Sequence, residues 1–200
     1  MWLPCFFYMK ITDTLLATCS KGDRRSQHEL YKVSYGTLIS VAMRYHKNEE
    51  DGVALVNQAF LKILNGLEQF LNNNPANKYP FWSKRIMINT VIDDHRKNKK
   101  HKELSTPVDF AEAVNHEGVD WNEADERFSA EDLLLMLDVL SDLRRNVFNL
   151  CAIDGYTHKE VATMLKITEG NSKWHLSIAR SILQEQVQKV LGIQKTATLK

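Results

Sequence analysis

Between Tyr156 and Leu183 the chain reads YTHKEVATMLKITEGNSKWHLSIARSIL. That spacing leaves room for two short helices, a tight turn and little else. Thr157 and Glu160 stand at capping-box spacing, so a helix is expected to open there. Val161, Ala162 and Leu165 give it an apolar side, and Lys166-Ile167 makes the turn, with Ile167 as a plug between the helices. Thr168 caps a second helix with Glu169 in its first turn, where an acidic side chain meets the positive end of the helix dipole. On that helix Ser172, Leu176, Ala179 and Leu183 follow helical spacing and form an inward stripe. Asn171, Trp174, Ile178 and Ser181 fall on the opposite side, and Lys173, His175 and Ser177 on the flanks. This is the layout of a helix-turn-helix, whose second helix enters the major groove of duplex DNA. A plain helical hairpin would explain the inward stripe equally well. It would not explain Trp174 and Ile178 lying off that stripe among polar and basic residues.

The rest of the chain is also helical in pattern. Asp13 is expected to cap a short helix through Cys19, with Lys21-Gly22-Asp23 as its end. A long helix follows from about Arg24 to His46, then a polar turn over 47–51. Gly52 to Phe70 is strongly amphipathic, with Val53, Val56, Phe60, Ile63, Leu64 and Leu67 at three- and four-residue spacing. Leu71 to Tyr79 carries an Asn run and Pro75 and reads as a loop. Pro80 suits the first turn of the next helix, which places Phe81, Ile88 and Ile92 on one side and Trp82, Ile86, Asn89 and Asp93 on another. That helix ends in the basic run His95-Arg96-Lys97-Asn98-Lys99-Lys100-His101-Lys102. From Glu103 to Glu126 there are eight acidic residues and no Lys or Arg, which together with Pro107 and Gly118 reads as a flexible acidic linker. A second domain follows with Leu133, Leu137 and Leu140 on its first helix. Ser141 or Asp142 caps the next, which carries Leu143, Val147, Leu150 and Cys151. The fold class is therefore all-α: two small helical bundles joined by a flexible acidic linker, the second containing the helix-turn-helix.

Net charge is only +1, so nucleic-acid affinity has to come from local patches. The three cysteines are widely spaced and form no CxxC pair, which suits a reducing cytoplasm. The opening MWLPCFFYM lacks a basic n-region and is too short to span a membrane; Met9 is favoured as the start of translation. No HExxH, GxSxG or phosphate-binding loop accompanies the seven histidines, so an enzyme, a cofactor or a metal is not expected. His158 and His175 are read as DNA-facing or solvated.

Three words carry a resemblance. FWSKRIMINTVIDDHRKNKK resembles the promoter-melting segment of bacterial RNA polymerase sigma factors of the extracytoplasmic-function (ECF) class, through Trp82, Arg85, Ile86, Asn89, Asp93 and the basic run. EEDGVALVNQAFLKILNGLEQF resembles the polymerase-binding segment, and DVLSDLRRNVFNLCAIDGYTHKEVATMLKITEGNSKWHLSIARSIL the final DNA-binding region. The words stand in the family's order over about Asp13 to Leu191. The resemblance implies a first domain over 10–102 that binds polymerase and melts promoter DNA, the linker over 103–126, and a second domain over 127–192 that reads the upstream promoter element.

Implied partners are core RNA polymerase and promoter DNA, with room for an anti-sigma factor. Neither a small-molecule substrate nor direct membrane insertion is implied. The implied polymerase-binding residues are Leu55, Val56, Asn57 and Phe60. The melted element would be met by Asn73, Asn74, Trp82, Arg85, Asn89, Arg96, Lys97, Lys99 and Lys100, and the upstream element by Asn171, Lys173, Trp174, His175, Ser177 and Ile178. The physics agrees: a basic surface holds the backbone, and aromatic or amide groups hold an unstacked base.

The chain departs from the family at Val53, Ala54, Asn57 and Gln58, where relatives carry acidic residues and a glutamine, and at Ile178, where many carry a basic residue. The competing reading is a helix-turn-helix regulator that binds duplex DNA without polymerase, which would need a sensor or dimerisation module in place of a melting segment.

Overall fold

The computed structural model of the protein describes residues 11–102 and 130–190. The expected linker over 103–126, the expected domain start at 127 and the tail beyond 190 lie outside them. The described residues are helical and contain no strand, and the chain divides into two compact units, residues 1–98 and 99–200.

In the first unit, α1 spans Asp13–Ser20, α2 Arg24–Tyr45 and α3 Glu49–Asn73, followed by a 3-10 turn at Ala76–Lys78 and by α4, Tyr79–Lys102, which belongs to this unit up to Asn98. Each of the first three starts at a side-chain cap. Thr12 accepts the Leu15 N–H, so Thr12 and not Asp13 caps α1. Asp23 accepts the Ser26 N–H at 2.8 Å, and Asn48 accepts the Glu50 N–H at 2.9 Å. These bonds satisfy donors that a helix leaves open at its N-terminus. Asn48 also explains why α3 begins three residues before the expected Gly52: Glu49, Glu50 and Asp51 form an acidic first turn that suits the dipole.

The Asn-rich stretch is mostly helical, contrary to expectation. Leu67 and Phe70 are buried and anchor the last turns of α3. The Asn73 amide then donates to the Gln69 carbonyl, and the Asn74 amide to the Phe70 carbonyl, closing the helix end. Pro75 stops it, since its missing N–H and ring do not fit a helix interior.

Leu16, Leu30, Leu38, Val56, Ile63, Leu67, Met87, Val91 and Ile92 form the heart of this unit. Phe81 does not join Ile88 and Ile92; it is 76% exposed. Adjacent residues on a helix point about 100° apart, so only one of Phe81 and Trp82 can face inward. Trp82 does, stacking on Phe70 at a centroid distance of 4.5 Å. Gly66 makes this possible, because a Cβ there would stand 3.2 Å from the Trp82 ring.

In the second unit, α5 spans Ala130–Leu137, α6 Asp142–Phe148, α7 His158–Leu165 and α8 Glu169–Val190, with a π-helical turn at Asn149–Ile153 after α6. Leu137, Leu140, Ala179 and Leu183 form a core cluster flanked by Met136, Phe148 and Ile182. Ser141 occupies the cap position of α6 without making a side-chain bond. Arg145 is buried instead. Its Nε donates to the Leu137 carbonyl at 3.0 Å, and its Nη2 lies 2.9 Å from Asp138 Oδ1, which fixes the α5–α6 corner. No described helix is long and apolar enough to cross a membrane.

Candidate nucleic-acid interface

The helix-turn-helix forms as its residues dictate. Thr157 accepts the Glu160 N–H while the Glu160 carboxylate accepts the Thr157 N–H, a complete capping box. Lys166 closes α7 in the left-handed conformation, φ 56°. The Ile167 N–H reaches back to the Ala162 carbonyl, a bond that ends the helix and turns the chain. The Thr168 hydroxyl accepts the Asn171 N–H and caps α8. Ser172, Leu176, Ala179 and Leu183 are all buried, so the inward stripe is where the spacing put it.

The outward side is corrected. Through the middle of α8 Lys173, Ser177 and Arg180 are exposed, as are Glu169, Gly170, Glu185 and Lys189 toward its ends, whereas Asn171, Trp174, Ile178 and Ser181 are half-buried. Trp174 meets His175 edge-on at 4.8 Å, and the Arg144 guanidinium of α6 sits 5.8 Å from its ring centroid, a cation–π arrangement. His175 is buried, which removes it from the DNA-facing set. A flank of α8 that points toward α6 is covered by Arg144 and the adjoining indole, and spacing along one helix cannot show that.

His158 is half-buried and engaged within the unit. Its Nδ1 lies 2.9 Å from Ser172 Oγ and 3.7 Å from Cys151 Sγ, so the imidazole ties α7 to α8 and to the π-helical turn. Cys151 is accordingly half-buried beside it, and that burial pushes its thiol pKa up. Lys173 is ion-paired with Glu169 at 2.8 Å, and this partner holds the Glu169 carboxyl below its ordinary range. Both side chains are exposed, so exchanging Glu169 for a phosphate costs Lys173 little. The second unit also carries exposed Lys159, Lys166 and Arg180 and half-buried Arg144, basic residues that the sequence reading did not single out. Lys173 and Arg180 stand seven apart, two helical turns, which was the available signal.

In the first unit, Phe81, Arg85 and Asn89 lie four residues apart on α4 and are all exposed. Asn89 is thus a surface amide. Trp82 is half-buried on Phe70, which holds its ring rigidly but leaves only part of it open. Arg96 is half-buried and lies 3.3 Å from Asp93, which Lys62 of α3 also approaches at 3.6 Å. Lys97 is exposed. Lys99 and Lys100 are on the last turns of α4, and their side chains lie outside the description. Asn73 and Asn74 are exposed with their amide groups engaged in closing α3.

The expected polymerase-binding set needs the largest revision. Leu55, Val56 and Phe60 are buried, with Phe60 edge-on to Tyr31 at 5.0 Å. These three apolar residues face inward and hold α3 against the unit. Asn57 is exposed and accepts a hydrogen bond from the Tyr31 hydroxyl at 2.8 Å. Around it the open side of α3 shows Ala54, Gln58 and Leu61, the last 60% exposed. Among the described residues no group of three His, Cys, Asp or Glu side chains is arranged to hold a metal ion.

The family model of ECF sigma factors matches residues 9–189. The ECF RNA polymerase sigma factor SigE of Mycolicibacterium smegmatis is 24% identical over 177 residues, which are 86% of this chain and 66% of that protein. The chain therefore spans slightly less than two thirds of that relative's length. Among solved structures, CnrH in complex with the cytosolic domain of CnrY matches at a TM-score of 0.46 and 19% identity, over 90% of this chain and 99% of that one. The sigma factor RpoE in complex with the anti-sigma factor NepR from Bartonella quintana matches at 0.47 and 19%, over 84% and 98%. The family match runs through both helical units and ends just past the helix-turn-helix: the chain belongs to the ECF sigma factor family.

Proposed function

We propose that this chain binds core RNA polymerase in the cytoplasm and directs promoter recognition and the start of transcription. The observation that carries the reading is the family match from residue 9 to residue 189, which spans a unit with an exposed Phe81-Arg85-Asn89 stripe and a unit with an exposed Lys173-Ser177-Arg180 stripe. In this reading α8 enters the major groove of the upstream element. Ser177 and Lys173 reach base edges or phosphate, Lys159 and Arg180 hold the backbone, and Trp174 supplies apolar contact. The α4 stripe and the Asn73–Asn74 corner meet the melted strand, where an amide can read the edge of an unstacked base and Phe81 offers a ring to stack on. Lys97, Lys99 and Lys100 add sequence-independent attraction to phosphates. Polymerase docks on the open side of α3, through Ala54, Asn57, Gln58 and Leu61.

Transcription from a promoter library with core polymerase, with and without this protein, tests the reading. Enrichment of promoters sharing an upstream and a melted element is expected, together with loss of co-purification with polymerase on Leu61→Asp. Specific binding to duplex DNA with no polymerase association and no transcript would favour the stand-alone regulator.

A further inference from the structure

The corner between α3 and α4 is held from a distance. The Asp13 carboxylate, in the first turn of α1, accepts the backbone N–H of Ala76 through Oδ1 at 3.0 Å, across 63 positions of sequence. Ala76 opens the 3-10 turn, and the residue in the cap position is Pro75, whose side chain makes no cap bond. A helix start needs an acceptor for its free N–H groups. Here a carboxylate from another helix supplies it, with its charge at the positive end of the turn.

The far side of the corner is fixed as well. Tyr79 is almost fully buried and its hydroxyl is 3.0 Å from Ser34 Oγ of α2. The near side is closed by the Asn73 and Asn74 amides on the end of α3. The segment 73–79 therefore has three independent tethers, and Asp13 provides the one that sets the path of the chain directly after Asn74 and Pro75.

We infer that Asp13 is a positioning residue for this corner, holding Asn73 and Asn74 where they meet the melted promoter strand. The inference rests on the proposed role of the corner and names a residue that touches no DNA. A pre-set corner loses less conformational entropy on gripping a base, and it presents its amides at one angle, so base choice is sharper.

The test uses the full chain with core polymerase. Open-complex formation is measured on promoters that differ by single bases in the melted element, alongside binding to the duplex upstream element. Asp13→Ala is expected to lower discrimination among melted-element bases by about three- to tenfold, the range of one ordinary net hydrogen bond, since water partly screens the exposed Asp13 carboxylate, with upstream-element binding unchanged. Asp13→Asn keeps an oxygen acceptor and should restore discrimination.

Ala76→Pro removes the donor from the other side. Proline φ suits the start of a 3-10 turn, and Pro75 at ψ 158° already has the backbone that precedes a proline. Combined with Asp13→Ala it should add no further loss, because both changes delete one bond.

Full discrimination retained by Asp13→Ala would overturn the inference. So would a loss equal on every base, matched by a lower melting temperature and shared by Asp13→Asn. If Asn73→Ala and Asn74→Ala also leave discrimination intact, the corner does not read the strand and the parent reading of it falls too. An asparagine effect without an Asp13 effect overturns the positioning role alone.

Discussion

Arg145 is the most exacting test of how the second unit holds its shape. Its side chain is 2% exposed, while that of its partner Asp138 is 40% exposed. Replacing Arg145 by Ala removes one aligned charge-assisted bond, Nε to the Leu137 carbonyl, worth about 1.5–3 kcal/mol. It also removes an ion pair whose carboxylate is partly screened by water, worth about 0.5–1 kcal/mol, and two buried methylenes at roughly 0.8 kcal/mol each. Release of the buried cation's desolvation penalty offsets part of this and leaves a net loss of about 3 kcal/mol.

For a unit of this size that loss corresponds to roughly 15 °C in melting temperature. It should appear first as faster amide exchange in α5 and α6, because the lost bonds tie Leu137 and Asp138 to α6. Arg145→Met keeps the packed stem without the charge and should cost only about 1–2 kcal/mol. Denaturant unfolding of the full chain, with peptide-resolved hydrogen exchange, measures both variants. A loss below about 1 kcal/mol for Arg145→Ala, or equal losses for Ala and Met, would refute the assignment of that stability to these bonds and this burial.

Three further outcomes follow from the geometry. Neutralising Lys97 should lower the salt slope of DNA binding by up to about one unit, and neutralising Arg96 by less, since Arg96 already lies against Asp93; salt titrations of each single variant decide this. Burial pushes the Cys19 thiol up to about 11 and the Tyr79 phenol up to about 12. Both folded-state values lie above the unfolded ones, so their contribution is intact below about pH 9 and is lost as pH rises through the folded values; denaturation midpoints should decline across that window, less steeply in Cys19→Ala. Finally, Ser177→Ala and Lys173→Ala should change base preference at the upstream element, by about 1–3 kcal/mol at particular pairs. Trp174→Ala should lower affinity more evenly, because its ring is partly taken up by Arg144 and His175; binding to a panel of element variants separates these patterns.

The chain's local signals were reliable where one helix sufficed to read them. The capping box at Thr157 and Glu160, the Thr168 cap and the buried stripe from Ser172 to Leu183 follow from hydrogen-bonding capacity and 3.6-residue periodicity, which act within a few residues. The all-helical class and the family resemblance were legible for the same reason, since each rests on words of contiguous sequence.

What faces outward within an apolar helix was decided by neighbours far along the chain. Leu55, Val56 and Phe60 were legible as apolar, but only packing against the rest of the first unit turned them inward and left Ala54, Asn57, Gln58 and Leu61 in the open. Phe81 and Trp82 are interchangeable by composition, and the space over Gly66 chose Trp82 for the interior. His175 and His158 were polar residues on a presumed surface until α6, α7 and the π-helical turn closed around them. The tether from Asp13 to Ala76 joins groups 63 positions apart, with no periodicity to announce it. Sequence alone determined the main helices and what chemistry they carry, but not the helical course of the Asn-rich stretch; the tertiary structure determined which of those side chains remain available, because burial belongs to pairs of helices and not to one.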